Sequence, residues 1–213
     1  FALCLPMLAI AQSYNITATI RGGEGSRIML AAFEDLDYHV VDTAMADATG
    51  RVVFSLPAST PRGMYRLYSG KDVYTDILFG REDIELLTDH SNTEEGAEIL
   101  VSQENKNWYH YLNTEYDALN RLELLTPVVD YYPPSRLRDS VLVEYQRIQS
   151  HLILTIREIC DQDPEGLACR MAAIRKPPLM SPDIAPAERV EWLRDHYFDG
   201  VNMNDTAVLR SDV

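Results

Sequence analysis

The stretch Ser13-Tyr-Asn-Ile-Thr-Ala-Thr-Ile-Arg-Gly-Gly-Glu-Gly-Ser-Arg-Ile-Met-Leu-Ala-Ala32 decides the reading of the N-terminal half. Tyr14, Ile16, Ala18 and Ile20 alternate with polar residues, and the alternation resumes at Ile28, Leu30 and Ala32. Successive strand side chains point to opposite faces, so this period of two predicts two half-buried strands. Gly22-Gly-Glu-Gly25 between them is turn chemistry, because glycine reaches positive φ without steric cost. The same grammar runs on to about Thr88, with turns at Asp47-Ala-Thr-Gly50, Pro61-Arg-Gly63 and Ser69-Gly-Lys-Asp72. Further strands are expected over 40–43, 50–54, 64–68, 74–78 and 84–87, with 64–68 and 74–78 pairing as a hairpin. Seven or eight short strands at this spacing predict an antiparallel β-sandwich, placed at 12–96.

Beyond the polar, acidic link Ser91-Asn-Thr-Glu-Glu-Gly96 and a last short strand near 98–101, the period changes. Ser102 is suited to an N-cap, and Trp108, Tyr111, Leu112, Tyr116, Leu119 and Leu122 recur at three and four, which predicts a long amphipathic helix. Pro127 and Pro133-Pro134 punctuate it. Ser135 opens a second helix with Leu137, Val141, Tyr145, Ile148, Leu152 and Ile156 on one side. A shorter helix is expected over 164–174, then an extended stretch at Pro177, Pro178 and Pro182. A final helix opens at Pro186 and carries Val190, Leu193 and Tyr197. The expected fold class is therefore α+β, an N-terminal antiparallel β-sandwich followed by an all-helical domain at 97–213.

Residues 1–11, Phe-Ala-Leu-Cys-Leu-Pro-Met-Leu-Ala-Ile-Ala, are uncharged, too short to span a bilayer, and end on a small-x-small pattern. They read as the tail of a secretory signal peptide with Gln12 as the mature start, and the missing basic segment before them reads as an upstream truncation. Leu5-Pro6 after Cys4 does not suit a lipoprotein cleavage site. The chain carries 33 acidic and 19 basic side chains, a net charge of −14, which repels nucleic acid and anionic lipid. No later stretch is apolar enough to form a transmembrane helix. After export Cys160 and Cys169 remain, flanking Asp161-Gln-Asp-Pro-Glu-Gly166. In an oxidising compartment they form a candidate disulfide, the alternative being two separate buried thiols. Their spacing is not C-x-x-C.

No complete catalytic constellation stands in the chain, and neither a metal nor a cofactor is expected. His39, His90, His110, His151 and His196 lack metal-ligand spacing. Glu34, Asp35 and Asp37 lack the order of a calcium loop and read as a solvated hairpin tip. Ser59, Ser69 and Ser102 have no nucleophile elbow around them, and the glycine clusters lie in hairpins rather than between a strand and a helix. Tyr65, Tyr68, Tyr74, Trp108 and Tyr131 are candidate binding aromatics, with core packing as the competing reading.

The Asp42-Thr43 strand, Gly50-Arg-Val-Val-Phe54, Gly63-Met-Tyr-Arg-Leu67, the helix start Ser102-Gln-Glu-Asn105 and the ending from His196-Tyr-Phe-Asp199 to Leu209 together form an arrangement. It resembles the accessory regions of envelope thiol-disulfide oxidoreductases of Gram-negative bacteria. The resemblance covers nearly all of 13–213 and implies an exported sandwich and helical domain, both of unknown function. These precede a C-terminal thioredoxin-like domain in the same polypeptide. It places the chain in the periplasm or cell envelope, where it positions the redox domain or binds envelope client proteins. The family's catalytic cysteines match no position here. A different expectation is a free-standing envelope binding protein for a peptide or glycan. A hydrolase with an unmotifed carboxylate pair is a third reading that no spacing supports.

Overall fold

The computed structural model describes residues 12–70, 73–90, 97–176, 181, 184–199, 202, 204–206 and 208–212. The expected export signal at 1–11, the link at 91–96 and the prolines at 177, 178 and 182 lie outside the described residues. The protein is α+β, with strands first and helices after, and divides into two compact units at Ser102/Gln103.

The first unit holds eight strands among the described residues: β1 (Ser13–Arg21), β2 (Arg27–Glu34), β3 (Asp37–Met45), β4 (Arg51–Pro57), β5 (Gly63–Tyr68), β6 (Tyr74–Phe79), β7 (Ile84–Asp89) and β8 (Glu98–Val101). They form two four-stranded sheets, ordered β4-β1-β7-β8 and β3-β2-β5-β6. The alternation read at Ile16, Ala18 and Ile20 turns those side chains inward with Val52, Phe54, Ile84 and Leu86 of the same sheet. Ile28, Leu30, Leu67, Ile77 and Phe79 of the other sheet meet them in one buried cluster. The hairpin of β5 and β6 pairs Tyr68 with Tyr74 and Met64 with Leu78.

Two details differ from the sequence reading. β1 runs parallel to β7, Ile16 opposite Ile84, so one pairing of the sandwich is not antiparallel. Local alternation tells which face a residue takes but not which distant strand lies beside it. The domain boundary also falls after Ser102 rather than at 96/97, because β8 pairs antiparallel with β7 and so belongs to the sandwich.

Between β3 and β4 the turn is built by Asp47, whose Oδ1 accepts from Thr49 Oγ1 (2.6 Å), Thr49 N (2.7 Å) and Arg51 N (3.0 Å). Gly50 beside it has φ +76°, and a Cβ there would stand 2.3 Å from the carbonyl oxygen of Ile20. The position therefore requires glycine on both counts. The Thr49 hydroxyl, then the two N–H donors, hold the Asp47 carboxyl below its usual pKa. The unfolded chain takes up the proton near 3.8, before the folded one does. The stabilisation is thus present above that pH and is lost as pH falls through the lower folded value. Asp47→Ala is expected to lower the thermal midpoint of the sandwich, while Asp47→Asn, which keeps an acceptor oxygen, restores most of it. Equal midpoints for wild type and Asp47→Ala at neutral pH would show that the turn does not depend on this carboxylate.

The second unit contains α1 (Gln103–Tyr131), α2 (Arg136–Gln162), α3 (Leu167–Arg175) and α4 (Arg189–His196), the last led in by a 3-10 turn at Pro186–Glu188. Pro127 stands inside α1 rather than ending it. Ser135 caps α2, its Oγ accepting from Arg138 N. The stripe Ile148, Leu152 and Ile156 is buried as read, whereas Leu137 at the start of α2 is exposed. In α1, Trp108 and Tyr111 are buried, but Tyr116 and Leu119 are exposed and the inward positions continue through Glu115 and Ala118. The hydroxyl of Ser102, expected as an N-cap, donates to the Glu82 carboxylate.

Candidate functional site

Cys160 and Cys169 are joined in a disulfide with Cα atoms 4.7 Å apart, linking the end of α2 to the start of α3. Between them, Gly166 precedes α3 with no side chain of its own to cap it. The cap comes from elsewhere. Glu104, in the first turn of α1, accepts from the backbone N–H groups of Leu167 (Oε1, 2.8 Å) and Ala168 (Oε2, 2.8 Å). A carboxylate there satisfies two orphan donors and complements the positive end of the helix dipole.

The five candidate aromatics do not form one binding surface. Tyr65 is buried in the sandwich core and its hydroxyl donates to Pro61 O at 3.0 Å. Trp108 is buried in α1 and stacks on Tyr111, ring centroids 5.7 Å apart. Both are core residues, so the gripping role assigned to them is corrected. Tyr74 and Tyr38 hold the Arg66 guanidinium between them, Cζ lying 3.8 Å and 3.9 Å from the two ring centroids, with Tyr68 at 6.0 Å. Asp76 receives the same guanidinium through Nε (2.5 Å) and Nη2 (2.7 Å). Burial works against the Arg66 charge, but the Asp76 hydrogen bonds and charge raise its pKa regardless. These tyrosines are engaged in a cation–π stack, of which Tyr74 stays exposed to solvent. Tyr131, at the end of α1, is the most exposed of the five at 76%.

Among the described residues no group of three or more His, Cys, Asp or Glu side chains could hold a metal ion. His196 Nδ1 lies 2.7 Å from Asp199 Oδ2 and its ring sits 4.6 Å from that of Trp192, both contacts local to the end of α4. The hairpin tip at Glu34, Asp35 and Asp37 is a tight turn, with Asp35 and Leu36 at positive φ and exposed.

The helical unit does hold a cavity, of about 310 Å³, assembled from α1, the end of α3 and α4. Its apolar wall is Leu119, Ile174, Leu193 and Tyr197. Its polar side is Glu115, Arg175 and Lys176. Glu115, 6% exposed, accepts from the Tyr111 hydroxyl (Oε1, 2.6 Å) and from Arg175 through Nη2 (2.8 Å) and Nε (3.1 Å) to Oε2. Burial first, then the Glu115 hydrogen bond and charge, push the Tyr111 phenol far above its usual pKa, so it stays protonated and donating. Arg175 loses hydration, yet Glu115 raises its pKa and keeps it charged. Arg189 fixes the approach of α4, donating to Asp130 Oδ2 (2.6 Å) and to Ile184 O (3.1 Å).

Glu115, Arg175 and Lys176 were not singled out from the sequence. The usable signal was a carboxylate four residues after Tyr111, in line with Trp108, since an acid on an apolar stripe demands a buried partner.

No family model matches this chain, and no curated protein matches it. Among solved structures it is similar to 5-hydroxyisourate hydrolase of Klebsiella pneumoniae, 16% identical, over 42% of this chain and 99% of that one. The TM-score is 0.28, and a likeness at that level carries no argument about fold or function.

Proposed function

We propose that this chain is a non-catalytic accessory region of an exported thiol-disulfide oxidoreductase of the bacterial envelope. Its sandwich and helical unit position a thioredoxin-like domain of the same polypeptide or bind that domain's clients. The observation that carries this reading is the Cys160–Cys169 disulfide within a sandwich-then-helices architecture. A disulfide persists in an oxidising compartment, which supports export. Nine residues of separation and a place between two helices suit a structural staple rather than a redox-active C-x-x-C pair. No helix among the described residues is long and apolar enough to cross a membrane.

The purified chain is expected to give no insulin reduction with dithiothreitol above the uncatalysed rate. Turnover that disappears in Cys160→Ala would overturn the reading. The second reading, an envelope binding protein for a peptide or glycan, is favoured by the cavity between α1, α3 and α4. Reading the gene past Val213 separates the two, a downstream C-x-x-C after a strand supporting the first.

A further inference from the structure

We infer that the cavity of the helical unit is a binding site for a small apolar monocarboxylate, independent of whether a redox domain accompanies the chain. Of the three charged groups at the cavity, two cancel. Both oxygens of Glu115 are engaged by Tyr111 and Arg175, so that carboxylate has little capacity left for an incoming cation. Lys176, at the C-terminal cap of α3, is exposed and makes no ion pair with any described residue. The formal sum at the cavity is one positive charge, on a chain whose net charge is −14. Leu119, Ile174, Leu193 and the Tyr197 ring offer an apolar body its lining. The volume of about 310 Å³ falls at the small end of ligand pockets, which span roughly 300–1,000 Å³.

Backbone donors do not replace the lysine here. The C-terminal end of α3 presents carbonyls rather than N–H groups, so the carboxylate's partner is the Lys176 ammonium. The ligand chemistry is therefore an apolar body with one carboxylate, which a free aliphatic or aryl acid and a peptide C-terminus share.

The test titrates the full chain with 4-phenylbutyrate and with N-acetylleucine, following binding by calorimetry and by the methyl resonances of Leu119, Ile174 and Leu193. 4-Phenylbutanol and N-acetylleucinamide, which lack the charge, serve as controls. Saturation by either acid at about 10 mM or below, with the matching control at least roughly tenfold weaker, upholds the site, and the preferred acid identifies the source. Lys176→Gln is expected to weaken the acid roughly tenfold while Lys176→Arg retains it, since both changes fall on an exposed side chain. Leu119→Glu, also at an exposed position, is expected to abolish binding. Failure of both acids to saturate, or unchanged affinity in Lys176→Gln, overturns the inference.

Discussion

Glu115→Ala is expected to cost the helical unit about 3 kcal/mol of unfolding free energy. The carboxylate is 6% exposed and is the common acceptor for Tyr111 on α1 and Arg175 on α3. Removing it strands a buried phenol without this acceptor and a guanidinium without its counter-charge. Arg175 retains 37% of its side-chain exposure and recovers some hydration, which places the loss at the low end of the range for breaking a buried pair. Glu115→Gln keeps an oxygen for the Tyr111 hydroxyl and should fall between wild type and alanine. Urea unfolding followed by helical circular dichroism reads the difference, and a cost below about 1 kcal/mol would mean that the network does not pin α3 to α1.

The same network sets an alkaline limit. Burial raises the Tyr111 pKa in the folded state, so above the ordinary value of 10.0 the unfolded chain releases a proton that the folded chain keeps. Stability carried by this group is complete below that pH and declines as pH rises towards the folded value. Tyr111→Phe should flatten that part of the alkaline limb, at some cost in stability at neutral pH.

The paired substitution Cys160→Ala/Cys169→Ala is expected to cost about 2–3 kcal/mol, from the closure entropy of a loop of roughly ten residues. The melting midpoint of the helical unit should fall by about 10 °C. Dithiothreitol should move the wild type to the same midpoint and leave the double variant where it is. An unmoved midpoint on reduction would show that the bridge does not restrain the unfolded chain. The native α3 should survive the change, because Glu104 still caps Leu167 and Ala168 from the first turn of α1. The penalty therefore belongs to the unfolded state rather than to a melted helix.

How much was legible in advance follows from the range of each interaction. The period of two at Ile16, Ala18 and Ile20 identified the buried face of β1 because alternation is a property of the strand itself. The hairpin of β5 and β6 was legible for the same reason, its two strands being neighbours along the chain. In α1 the periodic reading found Trp108 and Tyr111 and then followed Tyr116 and Leu119 instead of Glu115 and Ala118. Adjacent helix positions differ by about 100°. Apolarity alone therefore drew the stripe away from a glutamate that a distant arginine makes tolerable inside.

What the sequence by itself determined is the α+β class, the change from strands to helices near Ser102, the inward residues of β1 and β2 and the start of α2 at Ser135. Each depends on residues within a turn or a strand of one another. Only the tertiary structure decided that β1 lies parallel to β7, that Glu104 caps a helix 63 residues away, and that Glu115 and Arg175, 60 residues apart, face one cavity. Such pairings exist because folding brings remote segments together. Once buried, an N–H or a charge must find a partner, and the partner need not be near in sequence.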